Sequence, residues 1–399
     1  MTMYVLVVGP KITPPWDSAA ASIGKGVLQS LAYLASHVDV ATTCVELKRI
    51  IRNYGFVPSG VKDFEGFYGN KIRWHVVRHY SNQLLNEIKL TLIASMLIHN
   101  GDYDFLFYIG IPRNLLSIRL LGRACKAFIL YVYTIPSIQS ILALKYLTAK
   151  AQKLMSKLMI FTSSLHAYRI LKTHLNLQHI NVVPPVIDTS VFKPLNNISN
   201  YSSSHLRLGY VGPLHTPRFP VRDIAKVLVS LKSRGINASL HIRGLLRHGR
   251  RDRPYAYNIE KLFKRLLGEV NVDVKIGQLS RGELNEFYNS IDILLYMFSL
   301  SREAEIADPP LVPLEALSAG TPLIVSAGSS LDFYLKSLVE NGFVISIKNP
   351  DNIVDAIYTL SSIDRNRYGF VTHTYIEHIF SPKSVAQRIK GILEEAEIL

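Results

Sequence analysis

The chain has 399 residues, 48% hydrophobic and 19% charged, with a net charge of +15, which excludes a disordered, fibrous or collagen-like protein. Its length exceeds one ordinary core and suits two domains of roughly 200 residues each. Two cysteines, Cys44 and Cys125, are too few for a disulfide scaffold or a cysteine-rich zinc site, so a reducing compartment, the cytoplasm, is expected. The chain opens on MTMYVLVVGP, which lacks the basic region and cleavage site of a signal peptide. Its apolar run, residues 4–8, reads as a buried strand, followed by a loop through Gly9, Pro14, Pro15 and Trp16 and a helical pattern over 22–36. Further strand-length runs fall near 38–42, 73–77, 104–109, 127–132 and 158–162 with helical stretches between several of them, so a parallel, doubly wound sheet is predicted. The uncharged stretch from Ala127 to Leu144 is broken by Thr134, Pro136 and Ser137 and reads as strand, loop and helix, not as a membrane span.

The segment Leu195 to His205 is polar, rich in Asn and Ser and without periodicity, so the domain boundary is expected there, giving a first domain over 1–195 and a second over 206–380. The α/β pattern then restarts: strand 206–212, helix 221–233, strand 238–243, helix 257–267, strand 271–275, helix 281–289 and strand 291–296. A last helix, about 382–397, follows the strands of the second domain and could pack on either domain. Two such domains in succession predict a ligand cleft between them, with ligands gathered at the carboxyl ends of the strands. Charge divides unevenly: residues 1–200 hold 21 Lys or Arg against 9 Asp or Glu, giving +12, whereas residues 201–399 hold 24 against 21, giving +3. A basic first domain suits an anionic membrane surface, a nucleic acid or an acidic ligand.

Residues 305–328, EIADPPLVPLEALSAGTPLIVSAG, carry the most chemical information. Pro313 fits the first turn of a helix, Gly320 can supply its left-handed stop, and Leu323 to Val325 read as a buried strand. Glu315 then lies near the helix N-terminus, where free N–H groups attract phosphate and a carboxylate can accept two hydrogen bonds from the vicinal hydroxyls of a ribose. A surface or capping carboxylate is the plain alternative. No P-loop, dinucleotide fingerprint or zinc spacing occurs, and no metal or cofactor is required by any motif.

Several motifs together resemble the GT-B fold glycosyltransferases of family 4, the glycosyl transferases group 1, which are retaining enzymes with nucleotide-sugar donors. VVPPVIDTSVFKP (182–194) resembles their interdomain segment, and LGYVGPLHTPRF (208–219) their phosphate-binding strand and loop. IGQLSRGELNEFYNSIDILLY (276–296) resembles the stretch before the donor pocket, and PLEALSAGTPLIVSAG (313–328) the donor-ribose helix. The likeness covers nearly all of 180–360; the first domain matches in layout alone. It implies two Rossmann-like domains, a donor pocket in the second and an acceptor site in the first, with no cofactor beyond the sugar nucleotide and no metal.

By position, the resemblance gives Glu315 the donor ribose, Arg218 the diphosphate and Gly212 the close approach of phosphate, with Pro310 and Leu311 at the same pocket. Arg suits the diphosphate because its planar fork binds phosphate in bidentate fashion and offsets charge on the leaving group. Three departures stand out. The first Glu of the family's E-x7-E is Ala307, leaving Asp308 as the nearest stand-in for the sugar contact, with catalytic duty shared with Arg218. The Arg that follows the strand-end Gly is Pro213, so Arg218, Arg222 and Arg243 are the available cations. The His that ends a first-domain strand is absent, and Tyr133 or Thr134, with Trp16, fall on the acceptor side. The function implied is sugar transfer from a nucleotide sugar to a hydroxyl acceptor, lipid-linked, anionic or a soluble glycan or metabolite, in the cytoplasm or at the inner membrane face. A degenerate binder of nucleotide or glycan is the alternative; nucleic-acid binding rests on charge alone.

Overall fold

The computed structural model describes residues 3–10, 12, 19–44, 71–112, 121, 126–133, 136, 140–142, 144–146, 158–175, 177, 179–195, 205–214, 219–245, 253–267, 271–277, 279–296 and 308–399. The chain divides into two units, Met1–Val186 with Pro382–Leu399, and Ile187–Ser381.

In the first unit the described elements are β1 (Tyr4–Pro10), α1 (Ala19–Leu34), β2 (His37–Cys44), β3 (Ile72–Arg78), α2 (Gln83–Asn100), β4 (Phe105–Ile109), β5 (Ala127–Val132), β6 (Leu158–Thr162), α3 (Leu165–His174) and β7 (Ile180–Val182). The strands form one parallel sheet in the order β3-β2-β1-β4-β5-β6-β7. Alternation along β1 supplies two cores: Val5 and Val7 pack on one face with Val27, Leu28 and Leu31 of α1, and Leu6 and Val8 pack on the other with Leu90 and Ala94 of α2. The sheet is therefore buried on both faces, which explains its near-continuous apolar strands.

The second unit contains β8 (Leu206–Pro213), α4 (Val221–Ser233), β9 (Ala238–Leu245), α5 (Arg253–Leu267), β10 (Val272–Ile276), α6 (Arg281–Ser290), β11 (Ile293–Tyr296), α7 (Leu311–Ser318), β12 (Leu323–Ser326), α8 (Leu331–Tyr334), α9 (Lys336–Glu340), β13 (Val344–Ile347), α10 (Ile353–Ser361) and α11 (Arg365–Phe380). Its parallel sheet runs β10-β9-β8-β11-β12-β13. Both sheets reverse their winding beside the first strand, at β1/β4 and β8/β11, and these are the topological switch points at which a ligand is expected. Among the described residues no helix is long and apolar enough to cross a membrane.

The last helix, α12 (Pro382–Glu395), belongs to the first unit: Val385, Ile389, Ile392 and Leu393 join the core that α1 and β1 build. The chain also enters the second unit earlier than the predicted boundary at 195–205. Ile187 N–H donates to Phe380 O at 2.8 Å, and the N–H groups of Lys193 and Leu195 donate to the side chains of Asn285 and Asn289 at 3.1 and 2.9 Å. Phe192 is fully buried against Tyr288, so the segment from Ile187 is packed into the second unit, which a polar-linker criterion does not register.

A buried carboxylate ties the amino-terminal half of the first sheet together. Asp39 on β2 meets His75 Nε2 at 2.6 Å and His37 Nε2 at 3.1 Å, and Tyr103 donates its hydroxyl at 2.8 Å. Burial pushes this carboxyl up, but the hydrogen bonds from His75 and Tyr103 and the charge of the imidazoles outweigh it, leaving Asp39 below the ordinary value of 3.8. A depressed pKa stabilises the fold above the unfolded-state value, and that contribution is lost as pH falls through the folded one. Asp39→Asn is therefore expected to be less stable than the parent at neutral pH, with the gap narrowing below pH 3.8, in denaturant titrations across that range. A gap independent of pH would remove the charge from this account.

Candidate functional site

The carboxyl edge of the second sheet, where its winding reverses between β8 and β11, is where a ligand is expected. Gly212, at the end of β8 and in register with Gly244 of β9, has φ +154°, a backbone that side chains rarely adopt, and an added Cβ would lie 2.9 Å from the Tyr210 hydroxyl oxygen. Its bareness suits the close approach of a phosphate to the main chain. The chain leaving β11 re-enters the described structure at Asp308 and starts α7 behind Pro310, a start with no side-chain cap. Gly320 ends the turn after α7 at φ +78°, with the Cα of Gly369 2.9 Å from where a Cβ would stand, so only glycine fits.

Glu315 lies within α7, partly buried, and Tyr288 of α6 donates its hydroxyl to Glu315 Oε2 at 3.2 Å. Burial raises the Glu315 carboxyl above its ordinary range, against the opposing pull of the Arg281 guanidinium and the Tyr288 hydrogen bond. The Tyr288 phenol, fully buried beside that carboxylate, is pushed well above its ordinary value, so it stays a neutral donor.

The first turn of α6 explains how Arg281 comes to face this carboxylate. Ser280 and Glu283 form a reciprocal capping box, which makes Arg281 the first helical residue. A cation there opposes the helix dipole. It is held by Asp188, whose Oδ2 lies 3.2 Å from Arg281 Nη1, and by the Phe192 ring, 5.1 Å from the guanidinium carbon. Arg281, Asn285 and Tyr288, at i, i+4 and i+7, share one face of α6. Through them the segment after Ile187, α6 and α7 form one polar junction: Asp188, Arg281, Tyr288 and Glu315. Sequence reasoning singled out Glu315 and the motif containing Tyr288, but not Arg281. The available signal was a cation placed directly after an N-cap Ser, where an acid is ordinarily favoured.

The other predicted residues are distributed differently. Asp308 is buried, and both its oxygens accept from Ser330, one from the main-chain N–H and one from the hydroxyl, so it fastens the approach to α7 onto the loop after β12. Arg243 is committed within the sheet: its Nη1 bonds Asp273 Oδ2 at 2.8 Å and Ile242 O at 3.0 Å, and its guanidinium lies 4.6 Å from the Phe287 ring centre. Burial lifts the Asp273 carboxyl, and Arg243 with His241 brings it below its ordinary value. Arg222 stands exposed in the first turn of α4. Pro310 is buried and Leu311 partly so, at the start of α7. Tyr133, in the first unit, packs against the α1-side core, and burial raises its phenol. Trp16, Thr134, Arg218 and Ala307 lie outside the described residues. Among the described residues no group of three or more His, Cys, Asp or Glu is placed to hold a metal ion.

The second unit is a doubly wound α/β domain, a build that binds ligands at its switch point beyond the carboxyl ends of the strands. Residues 220–370, all within the second unit, match the family described as glycosyl transferases group 1. Over 99% of both chains the structure is similar to a sucrose-phosphate synthase from Thermosynechococcus elongatus, at 14% identity and a TM-score of 0.69. It is also similar to Anabaena Alr3699/HepE in complex with UDP and glucose, at 12% identity and a TM-score of 0.65, covering 98% of this chain and 100% of that one. A glycosyltransferase from Rickettsia africae ESF-5 matches at 11% identity and a TM-score of 0.67, over 99% and 98% of the two chains. The fold is thus GT-B, as the motifs implied. No curated protein sequence matches the chain.

Proposed function

We propose that the protein is a retaining glycosyltransferase that moves a hexose from a nucleotide sugar to a hydroxyl acceptor. The observation that carries the reading is the Glu315 carboxylate held by Tyr288 and faced by Arg281, in a domain matched by the group 1 family. A fixed carboxylate accepts both vicinal ribose hydroxyls, and Tyr288 limits its rotation so that the pair is met in one geometry. Gly212 admits the diphosphate, and Arg218 and the N-terminus of α7 offset the charge that develops on it as the glycosidic bond breaks. The acceptor hydroxyl attacks the anomeric carbon and gives its proton to the departing phosphate, so no separate base is assigned. The complex of HepE with UDP and glucose supports a donor of this class. On this reading Asp308 acts through the loop it fastens, and Arg243 through the sheet edge, instead of by touching the donor. The reading calls for no metal or cofactor besides the donor, and Tyr133, Thr134 and Trp16 remain its acceptor-side residues.

Thermal-shift measurements against UDP-, GDP-, ADP- and CMP-sugars test it. A donor at 100 times its dissociation constant adds about 2.7 kcal/mol and moves the midpoint visibly. The expected result is a shift with one donor, together with slow release of free sugar from it; the anomer first formed on transfer, read by NMR, should keep the donor's configuration. Silence across the panel overturns the reading. A shift with neither release nor transfer would favour a donor-binding protein that has lost chemistry, the alternative that Ala307, Pro213 and the commitment of Asp308 to Ser330 support.

A further inference from the structure

We propose that the outer face of α2, in the first unit, is a docking surface for an anionic lipid bilayer. The helix is apolar on more than its inward side: Leu90 and Ala94, with partly buried Ile93, Leu97 and Ile98, pack in the core, and further apolar residues face outward, where a surface helix ordinarily carries polar ones. Its buried residues are Asn86, Glu87, Leu90, Thr91 and Ala94, three of them polar. Its outward residues include Leu84, Leu85, Leu92 and Met96, which are 50%, 37%, 54% and 65% exposed. Leu85, Lys89, Leu92 and Met96 follow one another at i, i+4, i+7 and i+11, so they form a single stripe along the helix.

Two of the inward polar residues, Asn86 and Thr91, are satisfied locally. Asn86 exchanges hydrogen bonds with the main chain of Tyr80 at 2.8 and 2.7 Å, and the Thr91 hydroxyl donates to Glu87 O at 2.8 Å.

Charge decides the occupant. Lys89 donates to the Tyr80 hydroxyl at 3.0 Å and lies 4.1 Å from the centre of its ring, and exposed Arg78 stands two residues before that tyrosine. A tyrosine with cations at the margin of an apolar stripe is the composition that settles at a lipid headgroup layer, rings and stems in the boundary and charges toward phosphate. The helix carries one acid, Glu87, and it faces inward. A second copy of the chain would bring Lys89 and Arg78 against their own kind, whereas anionic headgroups complement them and the +12 of residues 1–200. The surface is independent of whether sugar transfer takes place; it names where a lipid-borne acceptor would be met.

Flotation of the full chain with vesicles tests this, using phosphatidylcholine alone or mixed equally with phosphatidylglycerol. The parent should float with the mixed vesicles and far less with phosphatidylcholine. Leu85→Glu/Leu92→Glu/Met96→Glu should float roughly tenfold less or weaker still, with an unchanged thermal midpoint and an unchanged donor-induced shift. Arg78→Glu/Lys89→Glu should lose the preference for phosphatidylglycerol. Should the triple variant fail to fold, Leu92→Gln/Met96→Gln gives the same reading at smaller amplitude. Failure of the parent to float, or equal flotation of the folded variants, would overturn the assignment. So would a change from dimer to monomer in sedimentation with flotation unaltered, which would assign the face to a second copy.

Discussion

Replacing Asp292 with Ala is expected to lower the free energy of unfolding by about 3–5 kcal/mol, a large part of the stability of an ordinary domain. Asp292 sits between α6 and β11 and is buried, as is Arg365 at the start of α11, each with a side chain 1% exposed. Arg207 of β8 grips the carboxylate by its main-chain N–H at 2.7 Å, its Nε at 3.2 Å and its Nη2 at 2.9 Å. Arg365 Nη1 donates to the carbonyls of Ile291 and Asp292 at 2.8 and 3.2 Å and lies 3.9 Å from the carboxylate. The single anion therefore serves two cations, one of them wholly inside the protein. Truncating it leaves the Arg365 guanidinium charged in a medium that solvates it poorly, with water unable to take the place of the lost partner. Arg365→Met should cost less, because it removes the buried charge itself and leaves Asp292 still paired with Arg207. Denaturant unfolding of both variants measures the contrast. Equal losses, or a loss under about 1 kcal/mol for Asp292→Ala, would mean that water reaches the cluster.

Glu315→Ala should weaken donor binding by about 1–3 kcal/mol, roughly a five- to 150-fold rise in dissociation constant, through the loss of charge-assisted hydrogen bonds to the ribose. The same carboxylate is a burden on the fold. Its raised pKa means that the folded chain holds this proton more tightly than the unfolded chain does, so stability falls as pH rises from the ordinary value of 4.5 through the raised one. Glu315→Gln, which keeps the shape and removes the charge, should therefore be as stable as the parent at neutral pH, or more so, while still binding donor poorly. Calorimetric titration with the donor and denaturant unfolding at neutral pH read the two quantities separately. Unchanged affinity would take Glu315 out of the site. A clear loss of stability in the Gln variant would make the carboxylate a structural partner of Tyr288 and Arg281.

The class of fold follows from patterns that are local in the chain. Buried parallel strands must be short and apolar on both faces, and the helices between them must carry a stripe, so runs such as residues 4–8, 206–212 and 323–325 are visible without coordinates. The placing of Glu315 in a short helix is legible for a similar reason: Pro313 fits a first helical turn and Gly320 a left-handed stop, and both act on their own backbone. Shorter pieces such as β7 and β13 escaped this kind of reading, because three or four residues carry too little periodicity. What each polar group touches is another matter. Only folding brings Arg281 and Asp188, 93 residues apart in the chain, to 3.2 Å, and only folding occupies Asp308 with Ser330 and Arg243 with Asp273. It also carries α12 back to the first unit and exposes the leucines of α2. Backbone preference acts over a few residues and can be read along the chain, whereas desolvation and charge pairing act across space, so the partner of a buried ion is chosen by the packing that surrounds it.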